Sequence, residues 1–413
     1  MKVFKFGGAS LKDVNAIRNV ASIIKQNTKE NLWVVLSAMG STTDALEKII
    51  ALSQAGKNFD NELSHLKEYH FNITRQLFNN TTTIDQAIHS LFNQLTPTAS
   101  IAGEYDCIYD QVIGLGELVS STIVCHFLQQ GGLDAEWVDA RNLILTDSTF
   151  REGQVQWGET EKKIKSVYPH LKKLVITQGF IAHNEKRETV SLGREGSDFS
   201  AAILGYCLHA ESVTIWKDVP GVMSADPKRI ADAVVFEELP YKETAEMTYY
   251  GASVIHPKTV KPLAMRNIPL LVKSFINPSL PGTKIHDCHV PNLPPLIVHK
   301  EDQCLISCKV TDYTFINEDH LGTIFQALHQ NGMHVNVMQN SAISFSFCVD
   351  YREHRVLKLI ELLSKKFEVF YNTGLLLITV KNYSPQTFNE YRNLKGVILE
   401  QSSRAALQVL VKG

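Results

Sequence analysis

Two segments of this chain, residues 2–10 and 189–198, each have the pattern of a short strand, a glycine turn and the start of a helix. A glycine turn can present backbone N–H groups to a phosphate, and the helix N-terminus behind it adds a partial positive charge. Taken alone, either segment is also explained by a plain tight turn or a helix N-cap. As a pair they predict one site that holds a triphosphate from two sides, with Lys5 as a mobile cation and Asp198 orienting that lysine or a Mg²⁺ ion.

Residues 1–285 alternate between strand-like and helix-like patterns. This alternation predicts an α/β fold in which a mainly parallel sheet is sandwiched by helices. Strands are predicted at 3–6, 33–36, 135–138, 174–177, 213–215 and 270–272, and helices at 14–25, 43–55, 61–77, 117–130 and 199–208. Gly131 and Gly132 are placed as a C-cap should be, at the end of the helix over 117–130.

A cluster of prolines separates two parts of the chain that differ in their predicted pattern of strands and helices. They stand at 278, 281, 291, 294 and 295, and predict a linker over residues 286–299. After it, residues 300–413 predict one or two small α+β units with a repeated βαββ pattern. Their strands are predicted at 305–310, 335–338, 342–349 and 375–380, with helices at 319–330 and 354–365 and a further helix and two strands within 386–411.

Net charge, cysteine spacing and hydropathy argue against several classes of protein. The formal net charge of −2 comes without a basic run, which argues against a nucleic-acid partner. The seven cysteines form no C-x-x-C pair, as expected for free thiols in a reducing compartment. We find neither a signal-peptide pattern nor an apolar run that approaches the ~20 residues of a membrane span, so we expect a cytoplasmic chain without a membrane contact.

Several polar residues stand where an α/β sheet binds ligands, beyond the carboxyl ends of strands. Ser37, Thr43 and Asp44 follow the strand at 33–36, where they are either site residues or helix N-caps. Glu117 begins a helix, either as a favourable charge at its N-terminus or as the acceptor of a substrate ammonium group. Arg194 lies between glycines, where its guanidinium suits a carboxylate better than free solvent.

Taken together, these motifs resemble the aspartate kinases (aspartokinases) of the amino acid kinase family. The likeness covers residues 1–285 almost continuously and extends more loosely over 300–413, which resembles that family's paired ACT regulatory modules. The matching segments are 5–10 (KFGGAS), 35–39 (VLSAM), 116–117 (GE), 139–141 (DAR), 177–180 (TQGF), 192–198 (LGREGSD), 218–221 (DVPG), 225–227 (ADP) and 251–257 (GASVIHP).

The resemblance implies transfer of the ATP γ-phosphoryl group to the β-carboxylate of L-aspartate, giving 4-phospho-L-aspartate on the route to lysine, threonine and methionine. It implies ATP with Mg²⁺ bridging the nucleotide phosphates. The histidines of the sequence have no metal-ligand spacing, so we expect no metal site built from protein ligands. Lys5 and Asp198 would serve the transferring phosphate. The implied substrate-binding residues are Glu117 for the ammonium group, Arg194 for the α-carboxylate, and Ser37, Thr43 and Ser197. The implied nucleotide-binding residues are Lys5, Gly7, Gly8, Ser10, Lys217, Asp218, Met223, Lys228 and Ser253.

The chain departs from the family pattern at informative positions. Ser253 stands where relatives carry a lysine, and we hypothesise that Lys217 replaces that cation. Glu195 stands where relatives carry a glycine, and we expect its side chain to point outward. Asn336 stands where lysine-sensitive relatives carry an aspartate, which predicts weak inhibition by lysine. The candidate effector residues are Asn336, Met338, Asn340 and Ser341.

We therefore expect a monofunctional kinase that forms a homodimer or larger homo-oligomer through its ACT modules. Three alternatives stay open at this stage. The first is that the ACT modules serve only dimerisation. The second is that the enzyme phosphorylates another carboxylate or a carbamate. The third is that the chain is a catalytically silent amino-acid sensor.

Overall fold

The computed structural model describes residues 1–100, 103–252, 255–312 and 314–412. The chain forms two compact units. The first contains residues 1–222, 235–245 and 253–290, and the second contains residues 223–234, 246–252 and 291–413. Residues 223–234 and 246–252 belong to the second unit although they precede the predicted linker. The sequence did not predict this.

The strands of the first unit carry its sheet. They are β1 (Lys2–Phe6), β2 (Leu32–Leu36), β3 (Ala135–Val138), β4 (Leu174–Gln178), β5 (Ile181–His183), β6 (Thr189–Ser191), β7 (Ser212–Lys217), β8 (Glu238–Pro240), β9 (Leu270–Ser274) and β10 (Thr283–His286). In the described part of the unit, eight strands form one sheet in the order β3-β4-β2-β1-β7-β9-β10-β8, and β5 pairs with β6 apart from it. Pairing is parallel except between β9 and β10, as the α/β prediction required.

Helices cover this sheet and connect its strands. They are α1 (Val14–Gln26), α2 (Thr42–Gln54), α3 (Asp60–Leu77), α4 (Thr82–Asn93), α5 (Leu95–Ala99), α6 (Tyr105–Ile113), α7 (Leu115–Gln130), α8 (Trp157–Val167), α9 (Gly196–Leu208), α10 (Tyr241–Tyr249) and α11 (Pro257–Met265). The helices predicted from the sequence correspond to α1, α2, α3, α7 and α9. The others were missed, because short helices and helices that follow one another directly give weak periodic patterns.

Burial explains the positions of the central elements. Every residue of β2 and of β4 is buried, as expected for inner strands of a sheet that is covered on both faces. The stretch Tyr105–Gln130, which contains α6 and α7, is apolar and long enough to cross a membrane, but 78% of its apolar window is buried in the protein. That burial is typical of a core helix. Helix α7 ends at Gly131, and Gly132 follows with φ +82°, so the predicted glycine C-cap is confirmed.

The second unit contains β11 (Leu296–Lys309), α12 (Glu318–Gln330), β12 (Val335–Asn340), β13 (Ser344–Asp350), α13 (Glu353–Leu363), β14 (Glu368–Lys381), α14 (Pro385–Arg392), β15 (Val397–Ser402) and β16 (Ala406–Lys412). Among the described residues, its six strands form one antiparallel sheet in the order β12-β13-β11-β14-β16-β15. The repeated βαββ pattern is thus realised as two halves of one continuous sheet.

The two central strands of this sheet are longer than predicted. Strand β11 begins at Leu296, inside the segment predicted to be linker, and β14 begins at Glu368 rather than at 375. Each is fourteen residues long because the two pair with each other along most of their length, across an irregularity near Gln303. Leu296 and Val298 are buried, so this part of the proline-rich segment belongs to the sheet.

Candidate active site

A cavity of about 490 Å³ lies at the carboxyl ends of the central strands of the first unit. This is the edge of a parallel sheet at which ligands bind in open α/β folds. It brings together residues that are far apart in the sequence. Those predicted as site residues and found in its lining are Lys5, Gly8, Ser37, Thr43, Glu117, Arg194, Ser197, Asp198 and Lys217.

The centre of the cavity is an ion pair between Lys5 and Asp198. Lys5 Nζ lies 2.6 Å from Asp198 Oδ1, and their side chains are only 12% and 3% exposed. The contact is not aligned as a hydrogen bond, so Oδ1 keeps the capacity to accept a further donor or a cation. On the other side of the same carboxylate, Lys217 Nζ lies 3.6 Å from Oδ2. One buried carboxylate therefore holds two ammonium groups at the cavity wall.

The glycine turn after β1 packs tightly against the turn after β2. A Cβ atom on Gly8 would lie 2.8 Å from the carbonyl oxygen of Ala38, which requires glycine there. Gly40 N donates a hydrogen bond to Gly8 O. Ser10 is buried and its hydroxyl donates to Gly7 O at 2.6 Å. Ser10 was predicted to bind nucleotide; its hydroxyl proton is used inside the turn, and its contact with nucleotide stays a prediction.

The second glycine turn leads into α9 through left-handed backbone. Gly193 has φ +76° and Glu195 has φ +53°, and the first turn of α9 presents Ser197 and Asp198 to the cavity. Arg194 is exposed at the rim and makes no hydrogen bond or ion pair with the described residues. It is therefore available for a ligand carboxylate.

Glu195 does not point outward as predicted. It lines the cavity, and its Oε2 atom is buried without a hydrogen-bond partner among the described residues. Glu195 is the N-cap of α9 and has left-handed backbone, a conformation that its sequence neighbours did not indicate. The cavity thus contains a negative charge that the sequence alone did not place there.

Glu117 is a buried carboxylate with one open oxygen. It is 4% exposed in the first turn of α7, where its Oε1 accepts a long hydrogen bond of 3.4 Å from Ala38 N. Oε2 has no partner in the described part of the chain. Burial raises the pKa of Glu117 to about 8, although backbone hydrogen bonds and the charge of Lys5 act in the opposite direction. Such a group is stabilised in its charged form by an arriving cation such as a substrate ammonium.

Comparison with known proteins identifies the family. Residues 1–274 match the profile of the amino acid kinase family. The chain belongs to the amino acid kinase family. It is 31% identical over 355 residues to lysine-sensitive aspartokinase 3 of Escherichia coli, which covers 84% of this chain and 78% of that enzyme. It is 36% identical over 299 residues to bifunctional aspartokinase/homoserine dehydrogenase 2 of Arabidopsis thaliana, covering 70% of this chain.

The chain spans about a third of the length of that Arabidopsis relative and about half of the related bifunctional protein of Buchnera aphidicola. Solved structures agree with the sequence matches. The crystal structure of E. coli aspartokinase III in complex with aspartate and ADP has a TM-score of 0.85 and 27% identity, covering 100% of this chain and 96% of that one. The same enzyme in complex with lysine and aspartate has a TM-score of 0.84 and 26% identity, at the same coverage. These findings confirm the predicted fold class and the predicted family.

In this member of the amino acid kinase family, the cavity residues that were not predicted as site residues include Tyr109 and Arg151. Tyr109 comes from α6, and its hydroxyl donates to Glu47 Oε1 at 2.5 Å. Arg151 comes from the loop after β3, with its guanidinium carbon 4.3 Å from the centre of the Tyr109 ring. Arg151 Nη1 also contacts Asp106 Oδ1 at 3.2 Å. Neither residue had a local signal, because α6 was not predicted and no motif was identified around Arg151.

The remaining nucleotide-binding candidates lie elsewhere or outside the described residues. Asp218 is in the loop directly after β7, whereas Met223 and Lys228 belong to the second unit. Ser253 lies outside the described residues. These four assignments stay predictions.

The candidate effector residues lie on β12 and directly after it. The Asn336 side chain is already engaged, since its Nδ2 donates to Gln303 Oε1 at 2.7 Å and to Asp350 Oδ1 at 2.9 Å. Its Oδ1 accepts from Lys300 Nζ at 2.8 Å. Burial acts to raise the pKa of Asp350, but hydrogen bonds from Gln303, Lys300 and Asn336 lower it to about 2. The other three candidates, Met338, Asn340 and Ser341, are exposed.

The described residues contain no group of three or more Asp, Glu, His or Cys side chains that could hold a metal ion. In nucleotide sites, Mg²⁺ usually takes one or two carboxylates together with substrate phosphates. Asp198, with spare capacity on Oδ1, is the residue that could contact such an ion or its water shell.

Proposed function

We propose that this chain is an aspartate kinase that transfers the γ-phosphoryl group of Mg-ATP to the β-carboxylate of L-aspartate. The observation that carries the proposal is the placement of Glu117 and Arg194 in one cavity with the Lys5–Asp198 pair. An open carboxylate oxygen and an unpaired guanidinium complement the ammonium and α-carboxylate of an amino acid. The glycine turn beside them complements a phosphate.

The chemistry needs charge neutralisation more than proton transfer. The side chain of free aspartate has a pKa of about 3.9, so the nucleophile is ionised at neutral pH and requires no general base. The obstacle is the approach of two anions, which Lys5 and the N–H groups of the glycine turns reduce by placing positive charge at the point of transfer. Asp198 holds the Lys5 ammonium in position. When bound with the nucleotide, Mg²⁺ supplies further neutralisation of the phosphates.

The remaining assignments are supported by position. Ser37, Thr43 and Ser197 line the cavity and would contact the amino acid, while Gly7, Gly8 and Ser10 would form the turn that receives the phosphates. Asp218, Met223, Lys228 and Ser253 would contact the rest of the nucleotide. The product would be 4-phospho-L-aspartate, the start of lysine, threonine and methionine synthesis, made by a soluble cytoplasmic enzyme.

The second unit would be a pair of ACT-type modules that joins subunits and responds to an amino acid. The crystal structure of E. coli aspartokinase III with lysine and aspartate supports an amino-acid effector in this family. In this chain the engaged amide of Asn336 supports a weak response to lysine.

ADP release from Mg-ATP with L-aspartate tests the proposal, with L-glutamate and N-acetyl-L-aspartate as matched controls. Glutamate has one extra methylene and N-acetyl-aspartate lacks the ammonium group, so we expect turnover with L-aspartate only. Hydroxylamine trapping of the acyl phosphate would identify the product. Turnover with another acid instead would replace the proposed substrate, and binding of aspartate without turnover by folded protein would favour an amino-acid sensor.

A further inference from the structure

Lys217 and Lys5 lie on neighbouring strands, on the same face of the sheet. Strands β1 and β7 are parallel neighbours in which Lys5 pairs with Ile215. Lys217 is two residues further along β7, so its side chain is on the same face of the sheet as that of Lys5. Both lysines therefore approach the helix that covers this face.

That helix is α9, which packs on β1 and β7. Its first turn carries Asp198, whose two carboxylate oxygens are divided between the lysines, at 2.6 Å from Lys5 and 3.6 Å from Lys217. Lys217 is 21% exposed on its side chain and lines the cavity. Two ammonium groups therefore face the cavity beside the N-terminus of α9, which adds a partial positive charge of its own.

We propose that Lys217 is a second phosphate-facing cation, which contacts the transferring γ-phosphoryl group from the side opposite Lys5. Asp198 is then the positioning residue for both ammonium groups. The proposal rests on the kinase activity proposed above, but not on aspartate being the acceptor. It assigns Lys217 to the phosphoryl group and not to the amino acid, whose binding groups, Glu117 and Arg194, lie on α7 and in the turn before α9.

Two variants and one matched control test this assignment. Lys217→Met keeps the length of the side chain and removes its charge, and Lys217→Arg keeps the charge. Lys273→Met is the control, because Lys273 pairs with Trp216 on the adjacent strand and its ammonium lies 5.7 Å from the centre of the Trp216 ring. It therefore points to the opposite face of the sheet.

We expect Lys217→Met to lower kcat by about 100-fold, as loss of one charge-stabilising group does, and to leave the KM for aspartate within about twofold of the parent value. We expect Lys217→Arg to restore part of the rate and Lys273→Met to retain the parental rate. In equilibrium titrations we expect Lys217→Met to weaken binding of a non-hydrolysable ATP analogue with Mg²⁺ by about tenfold, and binding of ADP much less.

An unchanged kcat in folded Lys217→Met, or a change confined to the KM for aspartate, would overturn the assignment, as would equal weakening of ADP and the ATP analogue. The titrations require no acceptor. If the parent protein fails to use aspartate, the proposed function is wrong, while the difference between ADP and the ATP analogue still decides the role of Lys217.

Discussion

Lys5 on the first strand and Asp198 at the start of α9 form the buried ion pair on which the site is built. Replacing Lys5 by Ala removes the cation nearest to the carboxylate. We expect kcat to fall by about 100-fold or more, with little change in the KM for aspartate. Steady-state kinetics measure both values. Lys2→Ala, at the outer end of the same strand and paired with Glu30, is the control and should keep the parental rate.

Arg194 lies at the cavity rim, and its guanidinium pairs with none of the residues that the structure describes. Because a bidentate carboxylate contact acts on substrate binding, we expect Arg194→Ala to raise the KM for aspartate by about 10- to 100-fold and to change kcat much less. Arg187→Ala, at an exposed turn before β6, removes the same charge outside the cavity and should change neither value. An unaltered KM in Arg194→Ala would refute the assignment to the α-carboxylate.

The raised pKa of Glu117 should make the binding of aspartate depend on pH. Since burial raises the pKa of Glu117 to about 8, the free protein carries it mostly protonated at pH 7. We expect kcat/KM for aspartate to rise by up to tenfold per pH unit from pH 6 towards 8 and then to level off. Glu117→Gln should lose this profile, and its KM for aspartate should increase by about 100-fold. A flat profile in the parent protein would contradict the role of Glu117.

The same raised pKa has a consequence for stability. Between the ordinary glutamate pKa and about 8, the folded protein binds more protons at Glu117 than the unfolded chain does, so this group lowers stability as pH rises through that interval. The melting temperature of Glu117→Gln relative to that of the parent should therefore increase from pH 5 to pH 8.

Glu195 combines left-handed backbone with a buried, unpartnered oxygen. We expect Glu195→Gly to raise the free energy of unfolding by about 0.5–1 kcal/mol, since glycine adopts this conformation without strain. Removing the negative charge should also lower the KM for Mg-ATP. Arg187→Gly, at an exposed residue with φ +62°, should show the backbone effect alone. An unchanged KM in Glu195→Gly would mean that the carboxylate does not act on the nucleotide.

Gly179 sets the position of the first turn of α9. A Cβ atom there would lie 2.5 Å from Ser197 Cβ and 2.7 Å from Ser197 Cα, so Gly179→Ala must displace the helix start. We expect a loss of about 1–3 kcal/mol in the free energy of unfolding, together with a lower kcat. Gly158→Ala, on the exposed face of α8 with no atom within 4 Å of the new Cβ, should instead gain up to about 1 kcal/mol. Denaturant titration of both variants distinguishes the effect of the close contact at Gly179 from the general effect of replacing a glycine by alanine.

Some of the site residues can be identified from a short segment of sequence. Lys5 and Asp198 stand at fixed offsets from glycine turns between a strand and a helix, and such turns are visible in a single segment of sequence. The position of Arg194 between glycines favoured a ligand role, whereas Glu117 stayed open on local grounds; the resemblance to aspartate kinases implied the role of each. Tyr109 and Arg151 have no such signal, because they reach the cavity through contacts with each other and with Glu47 and Asp106.

The sequence by itself determined the central strands and the longest helices of the first unit, the two glycine turns and the charged residues beside them. Strand and helix periods and turn chemistry are properties of neighbouring residues. Tertiary structure alone decided that β7 lies beside β1, which brings Lys217 to Asp198. It also decided that Ser10 turns inward, that Glu195 faces the cavity, and that β11 and β14 merge two small units into one sheet. Strand neighbours and side-chain directions depend on long-range packing, and a local pattern does not contain that information.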